Sequence, residues 1–180
     1  PIPGSNLPSV IGWRTIDDTN KMIEIAQTKK RAVVIGGGLL GLECARGLLD
    51  QGMEVTVLHL ADWLMEMQLD RKAGEMLKAD LEKQGMKIEL QANSKEIIGD
   101  KDVEAIKLAD GRVIETDLVV MAVGIRPYTE VAKDSGLDVN RGIVVNDYMQ
   151  TSDSHIYAVG ECAEHDGKVY GLVAPLYEQG

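Results

Sequence analysis

Apolar residues along this chain fall into distinct rhythms, and each rhythm predicts a different element. Ala32-Val33-Val34-Ile35 is a short continuous apolar run, the pattern of a strand buried on both faces. Leu39 to Gln51 follows with helical character, and Gly52 stands where a helix ends in the left-handed region. Residues 54–59 are strand-like again. Strand, helix and strand within about 30 residues make a βαβ unit, hence a parallel pair with a right-handed crossover. Upstream, Ile16, Met22, Ile23 and Ala26 predict a helix over about 17–27 with Thr15 as its N-cap. Downstream, residues 70–84 predict a further helix closed by Gly85, and residues 87–90 a third strand.

After that the period changes to two. Residues 96–98, 103–108 and 112–115 are separated by Gly99-Asp100 and Asp110-Gly111, turn pairs that predict an antiparallel meander. Residues 117–123 form another buried run ending at Gly124, and short strands are expected at 143–145 and 156–159 as part of a second sheet. The fold class is therefore α/β, a Rossmann-like parallel sheet with an antiparallel β-meander.

Composition narrows the function classes. Of the 180 residues, 44% are hydrophobic and 27% charged, the balance of a globular protein. No apolar run approaches the roughly 18 residues that cross a bilayer, so no membrane partner is expected. The start, Pro1-Ile2-Pro3-Gly4-Ser5, has neither an initiator Met nor a signal-peptide pattern, so the expectation is a segment cut from a longer protein. The formal charge of −10 includes nine acidic against three basic residues from Tyr128 on, which argues against nucleic acid as a partner. An anionic ligand must then be held by local backbone geometry. Two distant cysteines, Cys44 and Cys162, fit a reducing compartment and hence a cytoplasmic protein.

The strongest motif is Gly36-Gly37-Gly38-Leu39-Leu40-Gly41, which fits G-x-G-x-x-G between a strand and a helix. Gly36 permits the tight turn, Gly38 lets a pyrophosphate approach the backbone, and Gly41 lets the helix press on the strand. The helix N-terminus, with Leu39 and Leu40, offers free N–H groups to phosphates. At the end of the second strand, where an acid normally grips the ribose of NAD, stands His59, with Asp62 three residues later. No Lys or Arg lies between His59 and Asp70, which points to NADH while leaving NADPH open. Glu43 lies near where a nicotinamide would arrive. Cys44 reads as helix packing, Met65 and Met67 as core or loop packing, and His155 and His165 show no metal-ligand spacing.

Three features together resemble the NAD-binding domain of the FAD-dependent pyridine nucleotide–disulfide oxidoreductases. They are the glycine turn running into Leu42-Glu43, the meander before residues 117–123, and Gly124-Ile125-Arg126-Pro127. The resemblance spans essentially all 180 residues. It implies three segments: residues 1–12 closing one half of an FAD domain, 13–127 binding NAD(P)H, and 128–180 opening the second half, both FAD strips truncated. It also implies that Gly124 borders the nicotinamide, and that Gly160-Glu161, where the family usually has Gly-Asp, meets the FAD ribityl chain.

Within the family, residues 59–70, Gly160-Glu161-Cys162 and Gly171-Leu172-Val173-Ala174-Pro175 look like a nitrite-reducing branch. That finer resemblance implies a parent that passes hydride from NADH to FAD and electrons onward through iron–sulfur and sirohaem centres to nitrite. With two cysteines, those centres would lie outside these residues, in downstream redox domains that would be partners along with the rest of the FAD domain. This part alone is expected to bind NADH at best. Two alternatives stay open: the same domain of a ferredoxin reductase, rubredoxin reductase or NADH oxidase, and a non-catalytic Rossmann module that senses nucleotides.

Overall fold

In the computed structural model, which describes residues 2–180, the chain divides into one unit up to Val123 and another from Gly124 on. Pro1, assigned by the resemblance to an FAD strip, lies outside the described residues.

The first unit is built on a five-stranded parallel sheet in the order β1-β8-β2-β3-β4. Its strands are β1 (Val10–Ile11), β2 (Arg31–Ile35), β3 (Glu54–Leu58), β4 (Lys87–Glu89) and β8 (Leu118–Met121). The central strands are β-branched and apolar on both faces, so both faces must be covered. One face buries Val34, Val57 and Val120 against α1 (Ile16–Ala26), α2 (Leu39–Asp50) and α3 (Arg71–Lys83). The other buries Val33, Leu58 and Val119 against the meander β5 (Ser94–Ile98), β6 (Ala105–Leu108) and β7 (Val113–Glu115), through Ile97, Ile106 and Leu108. Each such fully buried aliphatic side chain contributes roughly 1.5–3 kcal/mol relative to exposure. Residues 2–12 supply the edge strand β1, paired in parallel with β8 at Val10 and Val119.

Caps explain the helix boundaries. The Thr15 hydroxyl accepts from the Asp18 N–H at 3.1 Å, and the Asp18 carboxylate accepts from the Thr15 N–H at 2.8 Å, so two otherwise unpaired donors are satisfied reciprocally. The Asp70 carboxylate caps α3 through the Ala73 N–H. Among the described residues no helix is long and apolar enough to cross a membrane.

One turn differs from expectation. Gly99-Asp100 does not join two strands as a tight hairpin; β5 and β6 are separated by six residues. The cause is Asp102, whose carboxylate accepts from the Ser9 N–H at 3.2 Å and the Val103 N–H at 2.9 Å. The loop widens to reach the segment leading into β1.

The second unit carries α4 (Glu130–Asp134), α5 (Val173–Gln179) and a small sheet in the order β11-β10-β9. Its strands are β9 (Ile143–Val145), β10 (Ala163–His165) and β11 (Lys168–Val169). The expected strand at 143–145 is present; the one at 156–159 is not. There the Ile156 N–H closes a turn onto the Asp153 carbonyl, Tyr157 makes a single bridge to Gln150, and Ala158 is the one residue of the run that is buried. Glu164 on β10 is almost fully buried, and its carboxylate accepts from the Arg141 and Gly142 N–H groups and the Asn140 amide at 2.7–2.9 Å. Those donors hold its carboxyl below the usual range.

Asp117 makes the corresponding latch in the first unit. Its carboxylate accepts from the Arg31 guanidinium at 2.9 Å and from the Arg31 and Lys30 N–H groups at 3.0 and 3.3 Å. The guanidinium is the main reason its pKa falls to about 2. The folded value lies below the unfolded value of about 3.9, so the latch stabilises fully above about pH 5 and is lost as pH falls through about 2. We expect Asp117→Asn to cost about 1–3 kcal/mol at pH 7. In urea unfolding, the gap between wild type and variant should narrow between about pH 5 and pH 2.5; a gap independent of pH would contradict the ion pair's role.

Candidate functional site

At the C-terminal end of β2 the chain reverses through three glycines into α2, and each glycine meets a different demand. Gly36 has φ +121°, a left-handed value, and a Cβ there would fall on the Ala122 carbonyl oxygen of the strand pair β2–β8. Its N–H donates to the Leu58 carbonyl at 2.8 Å, tying the turn to β3. Gly41 sits in the first turn of α2, where a Cβ would meet the Gly36 carbonyl oxygen; its absence lets the helix start this close to the strand. Gly38 is the N-cap of α2 and places nothing over the helix end: no side chain caps it, and a Cβ would project into open space.

That open end is what a phosphate group requires. The first-turn N–H groups of an α-helix have no partners within the helix and carry the positive end of its dipole. Leu39 and Leu40 in that turn are exposed. The cradle therefore fits a pyrophosphate, with the backbone of Gly38, Leu39 and Leu40 as donors.

Gly37, between the two motif glycines, is buried and fully bonded. Its N–H donates to His59 Nδ1 at 3.0 Å, and its carbonyl accepts from the Met65 N–H at 3.0 Å. A Cβ at Gly37 would lie 2.7 Å from both the His59 ring and Leu64 Cδ2. The loop between β3 and α3 thus packs against the underside of the glycine turn.

At the end of β3, His59 lies beneath the glycine turn. The residue is 6% exposed, and both ring nitrogens are engaged, Nδ1 with Gly37 and Nε2 with the Glu66 carboxylate at 2.9 Å. Asp62 is half-buried and ion-paired with Arg71. The Arg71 guanidinium lies 4.8 Å from the centroid of the Trp63 ring, a cation–π distance. The indole N–H of Trp63 donates to the Leu69 carbonyl at 3.0 Å, so Asp62, Trp63 and Arg71 form one fixed group ahead of α3.

Glu43 is exposed on α2. Gly36, Gly38, Leu39, Leu40, Gly41, Glu43, His59 and Asp62 belong to the first unit, and Gly124, Gly160 and Glu161 to the second. Gly124, with φ +94°, follows β8 through Val123. The Gly160 N–H donates to the Gln179 side chain at 2.8 Å, and Glu161 follows it in a half-buried turn.

Sequence reasoning passed over Gly37, Leu64 and Glu66 and read Met65 as packing. The available signal was the extra glycine, Gly37, at a motif position that accepts any residue. Cys44 is buried against Met22, and burial pushes its thiol up to about 12, which makes it inert packing. His155 is exposed and His165 bonds Asp147 at 2.7 Å. Among the described residues no cluster of His, Cys, Asp and Glu could hold a metal ion.

Comparison with known proteins agrees with this architecture. The family described as pyridine nucleotide-disulphide oxidoreductase matches residues 1–180. The chain is 60% identical over 179 residues to nitrite reductase [NAD(P)H] of Bacillus subtilis, covering 99% of the chain and 22% of that protein. It is 44% identical to the nitrite reductase (NADH) large subunit of Escherichia coli, again covering 99% and 22%. Among solved structures, a ferredoxin reductase from Rhodopseudomonas palustris superposes with a TM-score of 0.87 at 33% identity, covering 92% of this chain and 41% of that one. The chain spans about a fifth of the length of these nitrite reductases.

The glycines should separate by substitution. Gly36→Ala combines a left-handed φ with a backbone collision and should cost about 2–4 kcal/mol in chemical denaturation. Gly38→Ala adds a methyl in open space and should cost less than about 1 kcal/mol. Equal costs at the two positions would overturn this division of labour.

Proposed function

We propose that this chain, which belongs to the pyridine nucleotide-disulphide oxidoreductase family, is the NADH-binding part of a flavin-dependent reductase whose final acceptor is nitrite. The family is FAD-dependent and uses NAD(P)H. The observation that carries the reading is the uncapped N-terminus of α2, open beside Gly38 and braced from below through Gly37. Gly38, Leu39 and Leu40 hold the pyrophosphate through backbone N–H groups. Asp62, fixed by Arg71, borders the adenosine ribose as a hydroxyl acceptor, and His59 supports that side from beneath the turn. The pairing leaves Arg71 already neutralised, which favours NADH over the 2′-phosphate of NADPH.

Glu43, in the first unit, borders the nicotinamide. Gly160 and Glu161 meet the flavin's ribityl chain. The dinucleotide, when bound, supplies a hydride to the flavin; the chain's own residues bind and orient the reactants. The rest of the FAD domain and downstream domains with iron–sulfur and sirohaem centres are the partners this reading requires. The nitrite assignment is supported by the names of the relatives at 60% and 44% identity.

A second reading, an NADH oxidase or rubredoxin-type reductase, draws on a 38%-identical NADH oxidase of Methanocaldococcus jannaschii, of which the chain covers 37%. Calorimetric titration of the 180-residue chain should show NADH binding, and binding to NADPH weaker by about tenfold, the size of one lost charge-assisted contact. No binding of either at millimolar concentration would overturn the dinucleotide assignment. In the holoprotein, NADH oxidation should depend on nitrite and consume it in fixed ratio; nitrite-independent oxidation would favour the second reading.

A further inference from the structure

We infer that His59, with its tautomer fixed by Glu66, is the positioning residue that sets the height of the glycine turn and through it the affinity for the dinucleotide. This rests on the dinucleotide reading above but gives the ring a task that touches no cofactor atom. The Gly37 N–H is a donor and nothing else, so the nitrogen facing it at 3.0 Å must carry a lone pair. Nδ1 is therefore unprotonated, and the neutral ring carries its proton on Nε2. That nitrogen faces the Glu66 carboxylate at 2.9 Å, which accepts from N–H and so selects this tautomer. The arrangement is a chain in one direction: the Gly37 amide donates to the ring, and the ring donates to Glu66.

The same ring is also the floor of the turn. It lies where a Cβ of Gly37 would be, beside Leu64, and the Met65 N–H holds the Gly37 carbonyl on the other side of the residue. Both backbone polar groups of residue Gly37 thus bond to residues 59–66. Gly38, one residue later, is left open. Removing the acceptor leaves a buried donor unpaired, and the turn must rotate to hydrate it. Rotation at Gly37 carries the Gly38, Leu39 and Leu40 amides away from a common target.

A carboxylate at the position of His59 could accept a ribose hydroxyl bond directly. The imidazole is committed on both nitrogens and acts one layer below.

Three measurements test this. In long-range nitrogen–proton spectra of the 180-residue chain, with its three histidines assigned through His155 and His165 variants, the His59 ring should carry its proton on Nε2 alone. It should keep it there when NADH is added. A proton on Nδ1, or a change of ring protonation on NADH binding, overturns the inference, the latter because it would place the ring on the cofactor.

His59→Leu should then weaken NADH binding about tenfold, and His59→Asn, whose carbonyl can stand in for Nδ1, should restore it to within about threefold. An Asn variant as weak as the Leu variant overturns the inference, since the packing loss is shared and only the acceptor differs. The ring measurement needs no variant, so it remains decisive if the Leu protein does not fold. Wild type that binds no NADH defeats the dinucleotide reading, while the ring spectra still decide the bond to Gly37.

Discussion

The backbone of Gly37, held on both sides, is the constraint on which the glycine turn of the first unit depends. On the proposed dinucleotide reading, a turn that leaves amides free for a ligand cannot also use them to hold itself in place. The chain resolves this by dividing the task between neighbours. Gly37 spends both its polar groups on residues 59–66, through His59 Nδ1 and the Met65 N–H, and Gly38 spends none of its space on protein. The β3–α3 loop is accordingly structural at its core and has its own braces, with the indole N–H of Trp63 on Leu69 and Arg71 over the ring. A loosened brace there would be felt at the open end of α2 through the covalent link from Gly37 to Gly38.

Elsewhere, carboxylates play the part that glycines play at the turn, holding backbone amides that have no partner in a helix or sheet. Asp117 collects the start of β2, Asp102 joins the segment before β1 to the loop before β6, and Glu164 gathers three donors of the 140–142 turn. Each is a charge-assisted arrangement, about twice as strong as a neutral hydrogen bond. The acidic excess of the chain is therefore partly internal and committed to loops, which is why it says little about the ligand. Acidification weakens both units through the same chemistry, protonation of carboxylates that are paired only in the folded state.

Much of the parallel sheet is legible in the sequence because its strands are covered on both faces. Residues 32–35 and 118–121 are continuous apolar runs, residues 54–58 place Val55, Val57 and Leu58 in a β-branched strand pattern, and glycines mark the ends of α2 and α3. Legibility fails where a backbone bond to a distant side chain decides the outcome. The β5–β6 loop is widened by Asp102 reaching Ser9, 93 residues away. Residues 156–159 have strand-like composition, yet local turn bonds hold them and Ala158 alone is buried. His59 is the clearest case in the site: its slot at the end of β3 is readable, but the direction of its ring depends on a glycine 22 residues earlier and a glutamate 7 residues later. No period or motif encodes that direction. The open cradle, by contrast, follows from the glycine spacing itself.

The position of β1 carries a consequence for the order of assembly. β8 lies between β1 and β2, and Val10 pairs with Val119 across more than a hundred residues of intervening chain. The β2–β3–β4 core closes through short crossovers, whereas β1 has no edge to join until β8 has entered. β1 is thus made well before the neighbour it needs, and the loop it closes is the costliest in entropy of the whole sheet. Until then Val10 and Ile11 stay in water, and the outer face of β8 is open to any extended strand that arrives first.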